Sequence, residues 1–94
     1  MGTFGTVVRS LRVRLLGKQL TLAMAIGCTE AAVSFWETGT RVPSARLLAS
    51  LVTCLERAGA SNAEIRELVT AYRSAIIDRR QRSLDSALAS KRVG

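Results

Sequence analysis

The 94-residue chain contains no histidine. That removes the commonest general base and the commonest metal ligand among side chains. Its two cysteines, Cys28 and Cys54, have no cysteine partner at metal-site spacing. They suggest neither a zinc site nor a disulfide framework, and read as small buried hydrophobes in a reducing cytoplasm. There is no Gly-rich phosphate loop and no pocket-like pairing of carboxylates, so no enzyme, cofactor or metal is expected. No apolar run approaches the roughly 18 residues that would span a bilayer, so no membrane partner is expected. The opening stretch MGTFGTVVRS lacks the apolar middle of a signal peptide. Gly2 followed by Thr6 does match the loose myristoylation pattern, but Phe4, Val7 and Val8 fit better as the first turns of a core helix.

Acidic residues are also scarce: 7 Asp and Glu stand against 14 Lys and Arg, for a net charge of +7. A basic domain favours a polyanionic partner, of which nucleic acid is the commonest, although an acidic protein or a lipid surface fits charge alone. Apolar residues make up 48% of the chain, enough for a core. They are mainly Ala, Leu and Val, and there is a single proline, which favours helix. A core of this size is marginal, so self-association would help.

Periodicity and punctuation predict five helices. Phe4, Val7, Val8, Leu11 and Leu15 recur at helical spacing, giving a helix over about 6–16 that ends at Gly17. A second spans 18–26, with Leu22, Ala25 and Ile26 inward and Gly27 closing it. Thr29 caps a third, which Gly39 stops. Pro43 and Ser44 open a fourth with a buried stripe of Leu47, Leu48, Leu51, Val52 and Leu55, ending near Arg57. Ser61-Asn62-Ala63-Glu64 is a capping box that starts a long fifth helix. Its first stripe is Ile65, Val69, Tyr72 and Ile76, with Leu68 at the edge. Beyond Asp78 a second stripe of Ile77, Leu84 and Leu88 points elsewhere. That stripe reads as a dimer face, as a helix bending around its own core, or as a frayed tail.

Two short helices joined by a tight turn suggest a helix-turn-helix. The run Gln19, Leu22-Ala23, Gly27, Val33-Ser34, Trp36-Glu37, Gly39, Pro43 makes this specific: it resembles the lambda-repressor-like (Cro/C1, or XRE) family of DNA-binding domains over about residues 8–55. The implied fold is all-α with five helices in the lambda-repressor-like arrangement: a helix-turn-helix DNA-binding domain over residues 1–60, then an extended C-terminal helix over 61–94 that packs on the domain and is a candidate for dimerisation. The resemblance also implies a structural ion pair between Glu37 and Arg12. Two departures stand out. Leu16-Gly17 reverses the family's usual Gly-Leu, and Leu20 and Thr21 replace frequent glutamates.

By the resemblance, the third helix enters the major groove of double-stranded DNA. Val33, Trp36 and Ala32 then face inward, and Glu30, Ala31, Ser34 and Phe35 form the base-reading face. That face is poor in donors. Glu30 can accept from a cytosine amino group, Ala31 and Phe35 can pack on thymine methyls, and Ser34 can donate or accept. Glu30 reads equally as a helix-dipole acid, and Phe35 as a residue buried against the fourth helix or a partner. Phosphate contacts are expected from Lys18, Gln19, Thr29, Thr40, Arg41 and Arg46. Arg79, Arg80 and Arg82 form a second basic cluster with three open roles: flanking a dimer interface, touching DNA, or solubilising the tail.

The function expected is a cytoplasmic transcriptional regulator of bacterial or phage origin, a repressor acting as a homodimer on a pseudo-palindrome. Two alternatives stand beside it. One is an antitoxin whose segment from about Asp78 binds a toxin. The other is a scaffold that keeps the fold without binding DNA.

Overall fold

The computed structural model describes the backbone of residues 2–93 and side chains as far as Leu88. Met1 and Gly94, the outer ends of the two predicted segments, lie outside the described residues. The described chain forms five α-helices: α1 (Phe4–Leu15), α2 (Gln19–Ile26), α3 (Glu30–Thr38), α4 (Ala45–Ala58) and α5 (Asn62–Val93).

Local chemistry sets most boundaries. The hydroxyls of Thr3, Thr29 and Ser44 accept the N–H of Thr6, Ala32 and Leu47 and so cap α1, α3 and α4. The cap at Thr3 starts α1 two residues earlier than the apolar spacing suggests. Ser61 and Glu64 form a reciprocal capping box: the Glu64 carboxylate accepts the Ser61 N–H at 2.9 Å, and the Ser61 hydroxyl accepts the Glu64 N–H at 3.2 Å. Gly17 (φ +88°), Gly27 and Gly39 close the first three helices in a left-handed conformation that other residues rarely adopt. For Gly17 this explains the reversed Leu16-Gly17 order, since the glycine stands where α1 must turn back.

One core joins all five helices. Leu22, Leu51, Leu55, Leu68, Val8 and Val33 are fully enclosed, and each buried leucine contributes about 1.5–3 kcal/mol by leaving water. Three expectations need correction. Leu68 is not at the edge of α5 but at its point of deepest burial, with Tyr72 beside it. Ala25 is exposed, and Ala23 is the alanine of α2 that enters the core. Cys28 and Cys54 are free and only half-buried; burial still raises both thiol pKa values, which favours the unreactive thiol.

Polar and aromatic contacts tie α5 to the rest. Tyr72 donates to the Pro43 carbonyl at 2.7 Å, and its ring meets Phe4 edge-on with centroids 5.5 Å apart. Phe4 thus belongs to the core, as read from the sequence. Beyond the core, α5 continues outward. Arg79 is its last half-buried residue before an unbroken exposed run to Leu88. Ile77, Leu84 and Leu88 are 64%, 60% and 55% exposed, so the second stripe does not bend back onto its own domain.

Candidate nucleic-acid interface

The site is built around α3. Its inward face is Val33, fully enclosed, and Trp36. Three residues on, an α-helix returns to nearly the same side, so these two fix which face α3 turns outward. Glu37 locks the helix against α1. Arg12 donates through Nε to Glu37 Oε2 at 2.5 Å and through Nη2 to Oε1 at 2.9 Å. The side chains are 10% and 5% exposed, so the fork is shielded from water. Its hydrogen bond to Glu37 raises the Arg12 pKa, overcoming the opposing effect of burial. Arg12 also donates to the Gly17 carbonyl, tying the pair to the turn that leads into α2.

Gln19 joins this network, which the sequence did not reveal. Its amide donates to Glu37 Oε1 at 3.0 Å and the residue is half-buried. A glutamine expected to meet phosphate therefore already has a partner inside the protein. It holds the start of α2 to the end of α3 with one amide proton, so its second amide N–H, its amide oxygen and the adjoining backbone remain for other contacts.

A closer approach supports the same end of α3. Gly5 is buried, and a Cβ built on it would lie 2.4 Å from the Glu37 carbonyl oxygen and 2.6 Å from that of Trp36. The start of α1 therefore rests directly on α3 backbone, which only glycine permits.

The outward face carries Glu30 and Ala31, both exposed, Ser34, half-buried, and Phe35, 37% exposed. Phe35 is not covered by α4. Instead the Arg41 guanidinium stands 4.8 Å from its ring centroid, a cation–π distance. Glu30 is the acid in the first turn of α3. The two ion pairs among the described residues are Arg12–Glu37 and Arg14–Glu64, so neither Glu30 nor Lys18, Arg41 or Arg46 is neutralised by an ion pair there.

The other phosphate candidates sit at helix starts and in the loop after α3. Lys18 is the N-cap residue of α2, and Arg46 is exposed in the first turn of α4. Thr29 accepts the Ala32 N–H at 3.1 Å, which leaves its hydroxyl proton free to donate. Thr40 differs. The single proton of Thr38 goes to the Phe35 carbonyl, so Thr40 donates to Thr38 at 3.0 Å; it must release that bond before it can donate elsewhere. Arg79 reaches back forty residues to donate to the carbonyls of Gly39 and Thr40. It is therefore not a free member of the basic cluster with Arg80 and Arg82.

Among the described residues no group of His, Cys, Asp or Glu side chains is arranged to hold a metal, and no helix is long and apolar enough to cross a membrane. Neither a curated protein nor a solved structure matches the chain. The helix-turn-helix family profile matches residues 8–58, more than half the chain and all of α2, the turn and α3. With α3 held from within by Val33, Trp36 and the Arg12–Glu37 pair, the chain belongs to the lambda-repressor-like (XRE) helix-turn-helix family of DNA-binding regulators.

Proposed function

We propose that the protein is a sequence-specific transcriptional repressor that binds a pseudo-palindromic operator as a homodimer. The observation that carries this reading is the division of α3. Its inward side chains are committed to the core and the ion pair, while Glu30, Ala31 and Phe35 stay exposed on the other side. With one carboxylate, one hydroxyl and two apolar surfaces, this face suits a cytosine and thymine methyl groups. Affinity then comes largely from Lys18, Arg41 and Arg46, from the Thr29 hydroxyl, and from the open N–H groups where helices begin. Gln19 contributes through its second amide proton, and Thr40 once its bond to Thr38 is exchanged.

The exposed Ile77, Leu84 and Leu88 stripe supplies the dimer face. The same stripe supports a second reading, an antitoxin that docks a partner protein there. Light scattering of the purified chain separates them, because a dimer that dissociates on Leu84→Glu with Leu88→Glu favours the first.

The direct test is footprinting on DNA upstream of the protein's own gene, combined with filter binding across a salt series. Two protected half-sites about one helical turn apart are expected. Lys18→Ala and Arg41→Ala should each flatten the log–log salt slope by about 0.9. Unchanged slopes for both would remove them from the phosphate contacts.

A further inference from the structure

We propose that Arg79 of α5 is a positioning residue for DNA binding, holding the loop after the recognition helix in its contact-ready form. The proposal rests on the DNA-binding reading above, in which Thr40 and Arg41 meet phosphate. The loop's own ties use its N–H and hydroxyl groups, including the Thr40–Thr38 bond at 3.0 Å. Gly39 is left-handed, and the N–H groups of Thr40 and Arg41 both converge on the Phe35 carbonyl, at 3.0 and 3.2 Å. The carbonyls of Gly39 and Thr40 have no helical donor, since α3 ends at Thr38. Arg79 satisfies both through one nitrogen. A guanidinium suits this position electrostatically, because the C-terminal end of a helix carries partial negative charge. The residue after the bonded carbonyl is Arg41, which stacks on Phe35. A continuous set of contacts thus runs from α5 through the loop to an exposed side chain of α3.

Position along α5 supports the assignment. Arg79 is the last half-buried residue of that helix, while Arg80 beside it is exposed and Arg82 is exposed one turn on. One of three clustered arginines is therefore committed to the loop, and the sequence cluster divides by role.

The test uses the full chain with Arg79→Ala, Arg79→Gln as a less disruptive variant, and Arg80→Ala as a control for loss of one charge. Binding to a random-sequence DNA duplex is measured by filter retention across a salt series. Amide resonances of Thr40 and Arg41 are followed in the free protein. Both Arg79 variants should shift those resonances and weaken binding at least about fivefold relative to Arg80→Ala, the order expected when one residue's backbone must be ordered on binding instead of beforehand. Their salt slopes should stay parallel to wild type. A slope flattened by about 0.9 would make Arg79 itself a phosphate contact and overturn the positioning role. Unmoved resonances, or affinity equal to Arg80→Ala, would also overturn it while leaving the DNA-binding reading intact. A wild-type chain that does not bind the duplex even at low salt would overturn both.

Discussion

Replacing Gly5 by alanine asks how closely α1 lies on the end of α3. In an open helix this change stabilises by up to about 1 kcal/mol, because alanine loses less backbone freedom. Here the new methyl would lie 2.4 Å from one carbonyl oxygen, 2.6 Å from a second and 2.8 Å from a carbonyl carbon. The nearest of these is a full ångström inside ordinary contact at 3.4 Å. All three atoms are backbone, so no side chain can swing aside, and α1 and α3 must part. Overpacking of this kind costs about 1–3 kcal/mol. With only backbone to give way, the cost falls in the upper part of that range, about 2–3 kcal/mol, and after the propensity gain a net loss of about 1–2 kcal/mol remains. For a domain of this length each kcal/mol moves Tm by about 4–8 °C, so a fall of about 5–15 °C is expected in a far-UV circular dichroism melt. Affinity for DNA, measured well below both melting points, should fall as well, since the displaced atoms are the backbone of the helix proposed to enter the groove. A Tm equal to or above wild type would refute the close approach.

Arg12→Ala strands the Glu37 carboxylate, 5% exposed, with Gln19 as its remaining donor, and should cost about 3–5 kcal/mol in urea denaturation. Arg12→Met combined with Glu37→Leu should recover most of that loss; a single-variant cost below about 1 kcal/mol would mean that water screens the pair. Glu64→Gln probes pH dependence. The Ser61 backbone N–H, and after it Arg14, lowers the Glu64 pKa in the folded state. Its charge therefore contributes stability that is present above the unfolded value of about 4.3 and is lost as pH falls through the lower folded value. Wild type should be more stable than Glu64→Gln at pH 7, with the gap closing below about pH 4. A gap that does not change on acidification would show that the charge contributes nothing.

What the sequence made legible is mostly local. The caps at Thr29 and Ser44, the Ser61–Glu64 box and the stops at Gly27 and Gly39 each involve residues within about one turn of one another. Their chemistry needs no knowledge of the fold. Arg12–Glu37 is different, because the partners lie 25 residues apart; only the resemblance to a family pointed to it. The Gln19 bond to Glu37, Gly5 against α3, and Arg79 on the Gly39 and Thr40 carbonyls were not legible. Periodicity says which face of a helix is buried but not which atoms meet it. The stripe of α5 shows this limit. Ile65, Val69, Tyr72 and Ile76 give the right side, yet the line of contact runs through Leu68 and Tyr72, one step around the helix.

The contacts that other helices make with α3 through single residues share a destination. Gly5 and Arg12 of α1, Gln19 of α2 and Arg79 of α5 all converge on residues 36–40, the C-terminal end of α3 and its cap. The N-terminal half of α3, with Glu30, Ala31 and Ser34, is held by the Thr29 cap and by Val33. On the proposed base-reading role of Glu30, Ala31 and Ser34, this asymmetry separates stability from specificity along nine residues. Changes near Trp36–Thr40 disturb contacts with three other helices and should register as lost folding energy. Changes at the exposed Glu30 and Ala31 touch little within the protein, and surface substitutions of that kind usually stay within about 0.5 kcal/mol. If α3 reads bases as proposed, a helix arranged in this way can change the bases it prefers without losing its seat.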